Sequence, residues 1–324
     1  MEVLDTDFCF PQLSNSSCRK PALPRVTAVF LSFFLSFICV FTVALNLLVI
    51  ISVSHFRKLH NTTNFLLLSL AISDFMVGLV FLPGEIVRLT ACWFLGDYMC
   101  LLYLYIISFT VSASIGNIVI ISADRFVAIC DPLHYHTRVT VKRTQACICL
   151  LWLYSMLYNI TFVKDVLRDR HNSCNGECVF VNDNFTVLLD LVLNFFVPVT
   201  VIIVLYMRVF YKAVIHPRAI RFHITAVTLK HSMTPSATKS ELKAARTLGV
   251  LVVVFLTCFC PYYCAGLVTG SSFNASVVAL CFFSINSCLN PVIYALFYPW
   301  FRKSVRHIVT FKILQPGSSE ANVT

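Results

Sequence analysis

Polar and apolar residues do not cycle along this chain; they fall in blocks. Arg25 and His55 bracket 29 residues without a charge, Asp97 and Asp124 bracket 26, and Arg143 and Lys164 bracket 20. Two more apolar runs each hold one acid: Asn64 to Gly84 around Asp74, and Phe185 to Met207 around Asp190. Between Arg246 and Arg302 lie 55 residues with no Asp, Glu, Lys, Arg or His. A helix crosses the hydrocarbon core with about 20 apolar residues, so this stretch is too long for one crossing and suits two. Gly270-Ser271-Ser272-Phe273-Asn274 supplies the break. Only helices and closed barrels can span lipid, and these runs are too long and too continuously apolar for barrel strands. The pattern predicts an all-α membrane protein, a bundle of seven spanning helices over residues 27–298. An extracellular segment, 1–26, precedes it. A cytoplasmic tail, 299–324, follows with a short amphipathic helix.

Composition agrees with the blocks. The chain is 58% apolar and 12% charged, with a mean hydropathy of +0.81, whereas soluble domains carry about 25% charged residues. Charge then sets the orientation. Of the 25 Lys and Arg, 18 lie in the segments facing one side of the predicted bundle, the side of the C-terminal tail. The positive-inside rule places that side in the cytoplasm and the N-terminus outside. The net charge of +10 is thus a product of topology, not a nucleic-acid surface, and a basic inner face suits anionic membrane lipid. The first 26 residues lack an apolar core, so the first span itself is read as the signal anchor.

Most of the 15 cysteines sit inside apolar runs, where Cys behaves as a small hydrophobe. Cys9, Cys18, Cys92, Cys100, Cys174 and Cys178 face the oxidising side. Glycosylation sequons at Asn15, Asn184 and Asn274 fall on the outer side and agree with the orientation, with Asn15 the expected acceptor.

Ionisable groups inside a span are expensive and point to function. Asp74 lies mid-membrane in the second span; with Ser114, Asn286 and Asn290 it offers oxygens for a sodium ion. A structural hydrogen-bond network would use the same residues. Asp124-Arg125 ends the third span, and Glu241 offers Arg125 a second partner, the makings of a switch. Asp190 has Asn194 on the same face at i+4. The sixth span carries Phe259, Tyr262 and Tyr263 around Pro261. A carboxylate beside aromatic rings suits an ammonium, by charge pairing and cation–π attraction. An interfacial Asp capping the fifth helix is the alternative.

Asn46, Asp74, Asp124-Arg125-Phe126, Trp152, Pro198, Tyr206, Pro261 and Asn290-Pro291-Val292-Ile293-Tyr294 occur in order, at least one on each span. This set resembles the class A, rhodopsin-like G-protein-coupled receptors over essentially the whole chain. Within that class, NSCLNPVIYALFYPWF from Asn286 to Phe301 looks like the seventh-helix signature of trace amine-associated receptors. DRFVAICDPLHY from Asp124, KAARTLG from Lys243, the N-terminal CFPQLSNSSC and the loop CNGEC are similar to the same family. The resemblance implies disulfides Cys18–Cys174 and Cys100–Cys178.

The chain also departs from the pattern it resembles. Ile107 stands where amine receptors usually carry a third-helix Asp, and Asp190 resembles the fifth-helix anchor of a teleost-type subgroup. Phe259 replaces the usual sixth-helix Trp, Ser284 replaces a frequent seventh-helix Tyr, and residues 299–324 lack the usual tail Cys. The resemblance implies a plasma-membrane chemosensory receptor, no enzyme, in which one amine pairs with Asp190 near Asn194 and packs on Tyr262 and Tyr263. Its other end would point towards Ile107 and Ser108, with Val111, Phe259 and Ser284 completing the set. It further implies a stimulatory or olfactory-type G protein and cyclic AMP, with Arg125 leaving Glu241 as Tyr206 and Tyr294 rearrange, in a sensory neuron membrane. A receptor for a non-amine ligand, with Asp190 structural, is the nearest rival. A small transporter or channel would need internal repeats, which the chain lacks.

Overall fold

The computed structural model describes residues 8–13, 16–21, 23–168, 174–179, 184–212, 249–264 and 273–323. Among the described residues five helices are long and apolar enough to cross a membrane: Arg25–His55, Thr62–Thr90, Gly96–Cys130, Phe185–Phe210 and Val277–Phe297. Val141–Arg168 is a further helix of 28 residues, and Gly249–Cys264 a shorter apolar one. In chain order these are the first to seventh spans, the last beginning at Phe273. The seven-helix bundle predicted from the blocks is therefore the fold. The end carrying the N-terminal segment is called outer below, after the charge asymmetry.

The third span packs against the second, fourth and fifth, and the first packs against the second and seventh. Small residues allow some of these approaches. A Cβ on Gly116 would lie 2.2 Å from Leu151 of the fourth span, so the third and fourth helices meet at contact distance.

Prolines shape three spans. Val77–Phe81 and Leu191–Phe196 are wide, π-type turns, and each ends two residues before a proline, Pro83 and Pro198. Proline cannot donate to the carbonyl four residues back and its ring crowds that oxygen, so the helix relaxes there into wider turns. In the seventh span Pro291 leaves the Ser287 carbonyl without its helical donor; Asn46 Nδ2 of the first span donates to it at 3.0 Å. Asn46→Leu orphans that oxygen, and a lowered thermal midpoint of the purified protein is expected, corresponding to about 1–3 kcal/mol.

After the seventh span, Pro299–Val309 forms the expected amphipathic helix, burying Trp300, Phe301 and Ser304. The tail then returns to the inner end of the first span. There Arg57 pairs with Glu320 at 3.0 Å, His55 Nε2 meets Ser318 Oγ at 2.9 Å, and Val323 is buried.

Candidate functional site

Asp190 lies nearly two turns into the fifth helix, which starts at Asn184. It therefore does not cap that helix. Asn194 Nδ2 donates to Asp190 Oδ1 at 2.6 Å. The wide turn that begins at Leu191 puts both Asn194 and Phe195 on the buried side. The carboxylate is within electrostatic reach of Tyr154 and Tyr158 on the fourth span and of Tyr262 and Tyr263 on the sixth.

From this acid an aromatic row crosses the bundle. Phe195 stacks on Tyr263 with centroids 4.7 Å apart, Tyr263 meets Tyr262 edge-on at 5.5 Å, and Tyr262 lies 5.0 Å from Phe283 of the seventh span. Phe283 in turn sits 5.3 Å from Phe81 of the second span and 5.0 Å from Phe259, which is buried beside Phe255. Offset and edge-to-face rings of this kind hold one another in register.

One turn beyond Phe81 the row meets a second polar group. Glu85, with a side chain only 4% exposed, receives Arg88 Nε at 3.0 Å and Nη2 at 2.7 Å, a bidentate pair. Tyr103 of the third span donates its hydroxyl to Glu85 Oε1 at 2.8 Å. Gly84 makes room for that tyrosine, since a Cβ there would lie 2.1 Å from its ring. Trp93 packs 5.4 Å from the same ring.

Lower in the bundle Asn290 Nδ2 donates to Asp74 Oδ2 at 2.8 Å, while Ser114 donates to Ser73 Oγ at 2.9 Å. Asp74 Oδ1 and Asn286 Oδ1 are buried without a hydrogen-bond partner. A carboxylate oxygen and an amide oxygen left without donors are of the ligand type a hard cation takes.

At the inner end Arg125 is held by Asp124 and by Thr63 of the second span. Tyr135, from the short loop helix Pro132–Arg138, donates to the other Asp124 oxygen at 2.8 Å. Tyr206 closes on Gly249, where a Cβ would lie 2.4 Å from its hydroxyl. Tyr294 is buried and its hydroxyl has no partner.

Residues 45 to 294, most of the bundle, match the family model of seven-transmembrane receptors of the rhodopsin family. Trace amine-associated receptor 13c of Danio rerio is 34% identical, over 98% of this chain and 96% of its own. Trace amine-associated receptor 7e of Mus musculus is 35% identical over 98% and 92%, and receptor 6 of Homo sapiens 36% over 99% and 96%. The chain belongs to the trace amine-associated receptors. It is a G-protein-coupled receptor and a multi-pass membrane protein, not an enzyme.

Several residues singled out from the receptor's sequence meet in the structure. Tyr262 and Tyr263 stand in the aromatic row, Phe259 joins it through Phe283, Asp190 meets Asn194, and Asp74 meets Asn290. Others are placed less usefully. Ser284 is fully buried with its hydroxyl spent on the Leu280 carbonyl at 2.8 Å, and Ser108 donates likewise to Leu104. Neither hydroxyl proton is therefore free for a ligand. Ile107 is buried and Val111 half-buried on the third span. Glu241 and Asn15 lie outside the described residues.

Disulfides join Cys18 to Cys174 and Cys100 to Cys178. A third, Cys9–Cys92, ties the N-terminal segment to the residues just after the second span. Gly176 allows it to sit close: its φ is +106° and a Cβ would lie 2.7 Å from that of Cys9.

Reading the sequence missed Glu85, Arg88 and Tyr103, along with the tyrosine pair Tyr154 and Tyr158. Glu85 and Arg88 stand at i,i+3, the spacing at which helical charges pair. They follow directly on an apolar run and so read as its boundary, not as buried chemistry.

Proposed function

We propose that the receptor is chemosensory, activated by a cationic amine that pairs with Asp190. One observation carries this reading. Among the described residues the Asp190 carboxylate, nearly two turns into a spanning helix, has a single protein donor, Asn194, and no basic partner. A lone carboxylate at that depth is costly, and a ligand ammonium would complete it. The rings of Tyr262 and Tyr263 add cation–π attraction beside it. Ile107, Ser108 and Val111 then supply a largely apolar third-helix wall, which favours a ligand with one amine next to a hydrocarbon body.

The signal runs through a stimulatory or olfactory-type heterotrimeric G protein to cyclic AMP, from an outward-facing N-terminus in a sensory neuron's plasma membrane. For activation the amine must favour one helix arrangement, and a tenfold preference is worth about 1.4 kcal/mol. The sixth span moves at Pro261, with Arg125 exchanging Asp124 and Glu241 while Tyr206 and Tyr294 rearrange. Resident sodium at Asp74, Ser114, Asn286 and Asn290 opposes that change. Replacing sodium by a bulky organic cation is thus expected to raise agonist affinity in wild type and leave Asp74→Asn unaffected; agonist binding in membranes reads this directly.

The function is tested by cyclic AMP responses to a broad amine panel in cells where surface receptor is quantified. Activation by at least one amine is expected. Silence across the panel, with receptor at the surface, would move the ligand to another class.

A further inference from the structure

The amine reading leaves the Glu85–Arg88 pair without a role, although it stands at the far end of the same aromatic row. Arg88 spends Nε and Nη2 on Glu85. Among the described residues its Nη1 has no partner, and a third of its side chain is exposed. Glu85 is in the opposite condition, buried with both oxygens engaged by Arg88 and Tyr103. The pair is neutral as a whole, yet it hides its acid and presents the cationic edge of a guanidinium. That edge has the planar donor geometry that recognises a carboxylate.

The two ends belong to one site. Phe195, Tyr263, Tyr262, Phe283 and Phe81 link the fifth span to the second in successive contacts of 4.7, 5.5, 5.0 and 5.3 Å. Tyr262 is within electrostatic reach of Asp190, Glu85 and Arg88 together. Its relative exposure is 40%. An acceptor waits at one end, a donor at the other, and apolar rings lie between.

We propose that the receptor's preferred ligand is two-ended: an ammonium held by Asp190 and a carboxylate held by Arg88, separated by a hydrocarbon chain. This is an ω-amino acid, not a simple monoamine and not a diamine. A second ammonium would meet the guanidinium edge and be repelled. An α-amino acid carries its charges too close together to reach both groups. The inference rests on the amine reading, since it needs the ammonium at Asp190.

The test compares three series of matched chain length on wild type: ω-amino acids, their methyl esters, and the plain monoamines. At the optimal length the amino acid is expected to act at about tenfold lower concentration than its ester or the monoamine, the yield of one partly exposed charge-assisted contact. In Glu85→Gln/Arg88→Gln, which removes both charges, the three compounds should become equipotent while the monoamine response stays. Glu85→Gln alone keeps the guanidinium and should keep the advantage. If the ester equals the acid on wild type, the proposal fails with no variant needed. It fails equally if the double variant retains the advantage. In both of those outcomes the amine reading survives, provided Asp190→Asn still shifts monoamine responses to at least about thirtyfold higher concentration. If Asp190→Asn responds normally to every compound, both readings fall together.

Discussion

Asp190→Asn is expected to raise the amine concentration for half-maximal cyclic AMP by roughly thirtyfold to a thousandfold. That range corresponds to about 2–4 kcal/mol for removing one member of a desolvated charge pair. Asparagine keeps the shape of the side chain and an oxygen for the Asn194 Nδ2 donor now at 2.6 Å. The fifth helix should therefore fold as before, and surface levels should match wild type. What is lost is the negative charge, and with it the ammonium's partner; cation–π attraction to Tyr262 and Tyr263 contributes only about 0.5–2 kcal/mol and cannot replace it. Charge reversal in Asp190→Lys should abolish the response altogether. An unchanged dose–response curve for Asp190→Asn at matched surface level would make the carboxylate structural.

The second large effect concerns stability and is asymmetric. Arg88→Leu strands the Glu85 carboxylate, only 4% exposed, with the Tyr103 hydroxyl as its one remaining donor among the described residues. Leaving a buried charge uncompensated costs about 3–5 kcal/mol. Glu85→Gln leaves the arginine instead, whose side chain is 33% exposed and reaches water, so the loss should be smaller. Removing both in Glu85→Gln/Arg88→Leu discards the charge problem and should recover most of the stability lost in Arg88→Leu. Thermal midpoints of the four purified proteins form a double-mutant cycle that isolates the coupling. All four proteins melting together would mean the pair is no better than an exposed surface ion pair.

The bundle was legible because lipid imposes it. A backbone in hydrocarbon must pair with itself, so each crossing needs a long uncharged helix, and the gaps between Arg25, His55, Asp97, Asp124, Arg143 and Lys164 mark where such helices fit. The prolines were legible too, since a missing N–H acts wherever the helix runs. Asp74 and Asp190 stood out as single acids within apolar runs. Their partners did not stand out: that Asn46 reaches the carbonyl freed by Pro291 depends on which helices touch.

The sequence by itself determined the class of molecule, the number of crossings, the family and the unusual position of an acid within the fifth span. Each follows from local rules, a run of apolar residues or a motif at fixed spacing. The tertiary structure alone decided that Glu85 is buried and Arg88 half-free, that Tyr103 fills the space over Gly84, and that Cys9 meets Cys92. It also decided that five rings from the fifth, sixth, seventh and second spans line up into one row. Such facts depend on the rotation and approach of whole helices, which the summed packing of many side chains sets and which no single stretch of sequence encodes.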